Sequence, residues 1–174
     1  MERPAGLAVF EDRLYVADSK RDQIFVFDIQ GHAMFRFGRT GREPGEFNYP
    51  TRVTTDVDGR LYVTDTMNFR IQMFDQRGEF LGLIGKQGDT SGRFTRPKGV
   101  GVDTFGHVYV ADGLFDNIQV FDRSGRFLLN WGTAGAEAGE FWLPTDVAVS
   151  RSNTLYVADS FNKRLQVFQY VGVE

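Results

Sequence analysis

The sequence repeats itself with a period of 47 residues. A tyrosine, an aspartate three residues after it and a phenylalanine nine residues further on return four times at this spacing. These residues are Tyr15, Tyr62, Tyr109 and Tyr156, then Asp18, Asp65, Asp112 and Asp159, and then Phe27, Phe74, Phe121 and Phe168. Self-similarity at a fixed period is typical of architectures in which one structural unit is stacked on copies of itself. We therefore divide the chain into units 4–49, 50–96, 97–143 and 144–174.

The sequence of each complete unit predicts four short strands and no helix. In the third unit, runs of β-branched and aromatic residues alternate with glycine-containing turns. The runs are Val100–Asp103, Val108–Asp112, Ile118–Asp122 and Phe127–Trp131. Nowhere do apolar residues follow a helical period over ten residues, which indicates an all-β fold of four-stranded antiparallel sheets.

A sheet of this size has two faces to bury, and a propeller buries them by packing each sheet against the next. Units of about 40 to 50 residues with four strands are typical of propeller blades. Glycine-rich linkers between the units carry Phe47, Phe94 and Phe141, which we expect to fill the gaps between adjacent blades. The sequence thus predicts a single all-β propeller domain over residues 1–174, with four blades of which the last lacks its outer strand.

Composition narrows the classes of function. The chain has 174 residues, no cysteine, two histidines and a net charge of −3. The missing thiols exclude thiolate chemistry and cysteine-ligated metal sites, and the charge argues against bulk attraction to nucleic acid or membranes. No apolar run is long enough to span a bilayer, and no basic-then-apolar signal pattern begins the chain. We expect a soluble protein whose compartment is undetermined.

The second unit shows the motif of the repeat most fully. It contains Pro50, Val53, Asp58–Gly59, the Leu-Tyr-Val-x-Asp run ending at Asp65, Asn68, the Arg-Ile-Gln-Met-Phe-Asp run from Arg70, and Gly78 to Phe80. In these residues the unit resembles the NHL repeat of six-bladed propellers. Units three and four repeat the pattern, whereas Gln23 in unit one and Asn117 in unit three replace the arginine. NHL propellers are associated with binding proteins or RNA, and relatives of the repeat include a zinc-dependent lyase with several central histidines.

The length leaves the closure of the ring open. Four blades fall short of a six-bladed ring, and the last unit stops at Gly172–Glu174, where the turn into a fourth strand should begin. We expect a homo-oligomer, in which two chains close an eight-bladed ring, or a segment of a larger propeller. A four-bladed ring within one chain is a further alternative.

The titratable residues do not suggest a catalytic site. The repeated aspartates are expected to accept backbone N–H groups at strand ends rather than to form a carboxylate ring. His32 and His107 lie in different turns of different units and cannot share a metal. We predict no catalytic residues, no metal and no cofactor, and we keep a metal-dependent lyase or lactonase as the alternative that the resemblance implies.

One rim of the propeller carries the candidate binding residues. The linkers between blades and the loops between the second and third strands share this rim, and both are rich in large apolar and basic side chains. The predicted binding residues are Tyr49, Arg52, Met67, Phe69, Arg70, Arg96, Lys98, Leu114, Phe115, Trp142, Phe161 and Arg164. Aromatic residues and arginine dominate protein interfaces, so we expect a protein or peptide partner. Single-stranded RNA is the alternative, because bases stack on aromatic side chains beside cationic ones.

Overall fold

A computed structural model describes residues 1–170, which form 15 strands in four antiparallel sheets. The first sheet contains β1 (Pro4–Phe10), β2 (Arg13–Asp18), β3 (Gln23–Asp28) and β4 (Ala33–Phe37). The second contains β5 (Pro50–Thr55), β6 (Leu61–Asp65), β7 (Arg70–Phe74) and β8 (Phe80–Ile84). The third contains β9 (Pro97–Val102), β10 (Val108–Asp112), β11 (Asn117–Phe121) and β12 (Phe127–Trp131). The fourth contains β13 (Pro144–Val149), β14 (Thr154–Asp159) and β15 (Arg164–Gln169).

In every sheet the strands are hydrogen-bonded in chain order, so each blade is a meander from an inner to an outer strand. The predicted all-β propeller with a three-stranded last blade is confirmed. The predicted turn at Gly172 lies outside the described residues. Within the described part of the chain the only helical segment is a 3-10 turn, Thr66–Asn68, and no helix is long and apolar enough to cross a membrane.

The blades stack through their faces, and the inner strands pack in the order β1, β5, β9 and β13. Three apolar clusters fill the three interfaces between successive blades. Each cluster contains one linker phenylalanine, and Phe47, Phe94 and Phe141 are all completely buried. The prediction that these three side chains fill the gaps between blades is confirmed.

The first and last blades each keep one face without a neighbour among residues 1–170. Leu7 on β1 has the strand position of Val53, Val100 and Val147, which are fully buried, yet Leu7 is 59% exposed. At the other end Leu165 has the position of Ile118 and is also 59% exposed, whereas Ile118 is fully buried. Blade 1 and blade 4 therefore present apolar faces of the kind that the internal interfaces bury.

A buried aspartate at the end of the second strand ties each blade to the segment before its inner strand. Asp18, Asp65, Asp112 and Asp159 are fully buried. Their carboxylates accept backbone N–H groups at 2.7–3.0 Å, from Arg3, Asn48, Thr95 and Trp142, respectively. These contacts agree with the expected structural role, since a carboxylate at a strand end can satisfy several otherwise unpaired donors.

In blades 2 and 4 the aspartate also holds an arginine. The Nε of Arg70 donates to Asp65 Oδ2 at 2.8 Å, and its Nη2 donates to the carbonyl oxygens of Glu43 and Glu46, both at 2.9 Å. Arg164 repeats this arrangement with Asp159 at 2.8 Å and the carbonyls of the linker before blade 4. The guanidinium thus fixes the linker to the blade that follows it.

We predict that Asp65→Ala strongly destabilises the protein, because it leaves the buried Arg70 guanidinium and the N–H of Asn48 without their acceptor. Removing one partner of a buried ion pair costs about 3–5 kcal/mol, and urea unfolding followed by circular dichroism measures the loss. Glu43→Ala is the matched control, since the Glu43 side chain is exposed and only its backbone carbonyl takes part. A loss of less than about 1 kcal/mol in Asp65→Ala, the range of an exposed ion pair, would contradict the proposed role of the aspartate.

Candidate binding rim

Backbone hydrogen bonds fix the shape of the predicted rim. In every blade an N–H of the loop between the second and third strands donates to a carbonyl in the segment before the inner strand, at 2.9–3.2 Å. The donors are Ser19, Met67, Gly113 and Phe161, and the acceptors are Arg3, Asn48, Arg96 and Trp142. The two segments that the sequence analysis assigned to one rim therefore lie side by side.

These loops also contain residues in the left-handed backbone conformation without being glycine. Asp22, Phe69, Asp116 and Lys163 have the same place in the four loops, and their φ angles lie between 50° and 56°. This conformation costs roughly 1–2 kcal/mol for a residue other than glycine. Its recurrence in all four blades indicates that the surrounding hydrogen bonds impose it.

Large apolar side chains of the rim point outward. Tyr49, Met67, Leu114, Trp142 and Phe161 are among the exposed hydrophobic residues of the protein. Trp142 and Phe161 are each more than half exposed, and their ring centroids lie 5.6 Å apart. Tyr49 lies beneath the guanidinium of Arg3, 5.4 Å from the ring centroid to Cζ, and accepts a hydrogen bond from it at 3.0 Å.

The exposed residues of blades 3 and 4 belong to neighbouring segments. Asp116, in the loop that carries Leu114, accepts the backbone N–H of Leu143 at 2.7 Å, next to Trp142 in the chain. The loop with Leu114 therefore borders the Trp142–Phe161 pair. Phe69 and Phe115 are only partly exposed, and Phe69 packs against the cluster between blades 2 and 3.

The predicted basic residues fall into two groups with different surroundings. Arg70 and Arg164 are held in the aspartate arrangement described above, so their guanidinium groups serve the fold. Arg52 lies on the inner strand of blade 2, and its Nε is 3.3 Å from Asp146 Oδ1 on the inner strand of blade 4. Burial raises the pKa of the Asp146 carboxyl, and the charge of Arg52 only partly offsets this.

Arg96 and Lys98 remain available on the rim. Arg96 is exposed, and Lys98 is partly buried beside it. Burial lowers the pKa of the Lys98 ammonium group, and the positive charge of Arg96 adds to this effect. Within residues 1–170, Lys86, Arg93, Arg96 and Lys98 form no ion pair with a carboxylate. These four bases, in the linker between blades 2 and 3 and at the start of β9, thus form an unpaired basic segment of the rim.

The two histidines lie away from these segments. His32 pairs with Asp28 in the turn between β3 and β4, and His107 pairs with Asp103 in the turn between β9 and β10, at 2.9 and 2.8 Å. In the described residues no group of three or more His, Cys, Asp or Glu side chains is placed to hold a metal ion.

The sequence did not predict that three further residues hold the rim in place. Arg3 supports Tyr49, and Asp22 and Asp116 accept the N–H groups of Tyr49 and Leu143. The sequence does contain a pattern for the two aspartates, because they have equivalent positions in the repeat and each lies 27 residues before its partner. The position of Arg3 before the first inner strand gave no such signal.

Family comparisons agree with the geometry. A family model described as an NHL repeat matches residues 47–74 and 141–168. A second, described as a 6-bladed beta-propeller, matches residues 2–56.

Solved propellers have similar backbones. A streptogramin B lyase superposes with a TM-score of 0.72 and 15% identity, over 96% of this chain and 54% of that chain. A protein of unknown function from Bacteroides thetaiotaomicron gives a TM-score of 0.73 and 18% identity, over 95% and 47%. A catalytically inactive virginiamycin B lyase from Staphylococcus aureus gives a TM-score of 0.68 and 12% identity, over 97% of this chain and 56% of that chain.

The chain spans about half the length of these solved structures. At such identities the likeness shows the fold alone. Together with the 47-residue period and the four stacked sheets, it leads to one conclusion: this chain is a β-propeller, and two of its repeats match the NHL repeat.

Proposed function

We propose that the chain is a non-enzymatic binding module that recognises a protein or peptide partner through the rim. The observation that carries the proposal is the group of large apolar side chains that stay exposed on loops of fixed backbone. Trp142 and Phe161 form its centre, with Leu114 on the neighbouring loop and Tyr49 and Met67 on blade 2. Exposed aromatic side chains on a rigid support are typical of interface hot spots, since little conformational entropy is lost when they are covered.

Rigidity strengthens the proposal. The loops are held by main-chain hydrogen bonds to the linkers and by buried aspartates beneath them. Of the predicted binding residues, Arg70 and Arg164 act from below as supports, and Arg52 faces its ion-pair partner Asp146. The proposed contact surface therefore consists of the exposed apolar residues together with Arg96 and Lys98.

We expect Phe161→Ala to weaken peptide binding about thirtyfold, because truncation of an aromatic hot-spot residue costs about 2 kcal/mol. Peptides are selected from a displayed random 12-residue library on the wild-type protein, and their affinities are measured by fluorescence polarisation. Phe105→Ala is the matched control: Phe105 is a similarly exposed phenylalanine in a turn between first and second strands, away from the rim. Failure to enrich any peptide, or equal affinity for Phe161→Ala and the wild type, would refute the proposal.

Single-stranded RNA is the second candidate ligand, and the unpaired basic segment between blades 2 and 3 favours it. Lys86, Arg93, Arg96 and Lys98 have no carboxylate partner in the described residues, and the partly exposed Phe69 and Phe115 flank this segment in sequence. Cationic groups neighboured by aromatic rings are the usual elements of sequence-tolerant single-strand binding.

If these four cations contact phosphates, RNA affinity falls about fiftyfold between 50 and 200 mM salt, from a slope of roughly −0.7 per phosphate contact. Filter binding of labelled single-stranded RNAs of 12 nucleotides measures this salt dependence. Arg96→Glu is expected to reduce the affinity further, whereas Arg77→Glu, an exposed arginine in a turn between third and fourth strands, serves as the control. Absence of binding at 50 mM salt would exclude RNA as the ligand.

A metal-dependent lyase or lactonase remains the alternative that the family resemblance suggests, and two similar solved structures are lyases by their descriptions. Nothing in the geometry of the rim favours it over binding. The two histidines each pair with an aspartate of their own turn.

We further propose that the exposed end faces pair between two copies of the chain. Every internal interface joins the face of one blade that carries a tyrosine and an isoleucine, such as Tyr15 and Ile24, to the next blade's inner-strand valine, such as Val53. Blade 4 offers the first kind of face through Tyr156, Leu165 and Val167, and blade 1 offers the second through Leu7. Each end is thus the complement of the other, and two such contacts close a ring of eight blades.

Light scattering of the 19.7 kDa chain should then give a mass near 40 kDa. Leu165→Asp should shift the mass towards the monomer, because it places a charge in a face that must become buried. Leu81→Asp, on the outer strand of blade 2, should leave the dimer intact. A wild-type mass near 20 kDa would show that the faces do not pair between two copies.

A further inference from the structure

Blade 3 differs from blades 2 and 4 at the position of Arg70 and Arg164, the arginines that pair with the buried aspartates. Asn117 has the repeat position of Arg70 and Arg164, and Phe115 has that of Asn68 and Asn162. Asn68 and Asn162 donate to the buried aspartates at 2.9 Å in blades 2 and 4. Blade 3 therefore lacks the asparagine and the arginine that donate to the aspartate in blades 2 and 4, and keeps only the glutamine of this set, Gln119.

A cavity of about 100 Å³ marks this place. Its lining residues are Asp89, Ser91, Phe115, Asn117, Gln119 and Asn130. The Oδ1 atom of Asn117 is buried and has no hydrogen-bond partner. A buried acceptor without a hydrogen bond costs free energy, and a ligand that donates a hydrogen bond to it removes this cost. The cavity is larger than a single water molecule needs, which leaves room for a planar group of four heavy atoms.

The backbone acceptors of the guanidinium site are kept in blade 3. Thr90 and Arg93 have the repeat positions of Glu43 and Glu46, whose carbonyl oxygens accept from Arg70. The carbonyl of Arg93 already accepts from Gln119 Nε2 at 2.6 Å, as that of Glu46 does from Gln72 in blade 2. Each carbonyl has two lone pairs, so the second acceptor position that Arg70 uses in blade 2 is left over in blade 3.

Charge and access also suit a cation. Asp112 is fully buried and, unlike Asp65 and Asp159, has no arginine partner within the described residues; its oxygens accept from the N–H groups of Thr95, Arg96 and Leu114 and from the Thr95 hydroxyl. Asp89 lines the cavity at the repeat position of Arg42 and Ala136. Asp89, Ser91 and Asn130 are exposed, so the cavity can be reached from solvent.

We propose that this cavity binds the guanidinium group of an arginine side chain that belongs to the peptide partner of the rim. The group replaces, from outside, the arginine that blades 2 and 4 supply from their own chain. Its N–H groups donate to Oδ1 of Asn117, which lines the cavity, and to the carbonyl oxygens of Thr90 and Arg93, which are assigned from their repeat positions, those of the carbonyls that accept from Arg70. The identity of the partner residue rests on the proposed function, whereas the site itself rests on the repeat.

The direct test titrates N-acetyl-arginine methylamide into the isotope-labelled protein and follows amide signals by NMR. We expect saturable shifts of the Asn117 side-chain amide and of the backbone amides near Thr90 and Arg93. N-acetyl-lysine methylamide should bind about fivefold or more weakly, because an ammonium group cannot supply the planar set of donors. No saturable shift up to 50 mM arginine probe, or equal binding of the lysine probe, overturns the proposal.

Asn117→Arg is the matched variant, since it restores the residue of blades 2 and 4 and fills the cavity from within. It should abolish the shifts caused by the arginine probe and raise the midpoint of thermal unfolding by about 2–4 °C. Asn117→Ala leaves the cavity open but removes one acceptor, and should weaken the probe about fivefold. Unchanged probe binding in both variants would also overturn the proposal, and the alanine variant decides alone if the arginine variant does not fold.

Peptides selected on the rim separate this proposal from the proposed function. If both hold, the selected peptides contain an arginine and lose affinity for Asn117→Arg. Peptides that bind the rim without any dependence on arginine would refute the cavity's role and leave the rim's function standing. Probe binding without any selected peptide would establish the guanidinium site and refute peptide recognition.

Discussion

The structure depends on the burial of two apolar faces by every blade. A four-stranded sheet of five- to seven-residue strands cannot bury its own faces, so each blade needs a neighbour on both sides. The linker phenylalanines complete these interfaces, and Phe47, Phe94 and Phe141 are fully buried as a result. The contrast between Leu7 and Val53 shows how much of a residue's environment is set by the next blade rather than by its own.

Different parts of the repeat serve different purposes. The faces of the sheets carry the apolar packing, and the buried aspartates tie linkers to strand ends at the rim. Loop side chains such as Trp142 and Phe161 contribute to neither, which is why their exposure points to a use outside the fold. Arg70 is the opposite case. Its side chain also lies at the rim, but its guanidinium group is hydrogen-bonded to the linker and supports it.

Much of the fold could be predicted from the sequence, since the 47-residue period locates the strands, the burial of Phe94 and the role of Asp65 at once. The roles of Arg70 and Arg164 could not, because their acceptors are mainly carbonyl oxygens of Glu43, Glu140 and nearby linker residues, which the sequence does not identify as acceptors. The ion pair of Arg52 with Asp146 was equally hidden, as it joins blades that are not consecutive. The substitution at Asn117 was visible as an exception in the repeat, but its meaning required the position of Arg70 in space.

The loops of the rim are attached by their main chain, through N–H groups such as those of Met67 and Phe161 and carbonyls such as those of Asn48 and Trp142. Main-chain bonds place few demands on side-chain identity. Mutations at these exposed positions can therefore accumulate with little effect on loop shape, much as hypervariable loops change on a constant antibody framework. The chemistry of the rim surface can thus diverge over evolution at small risk to the stability of the propeller.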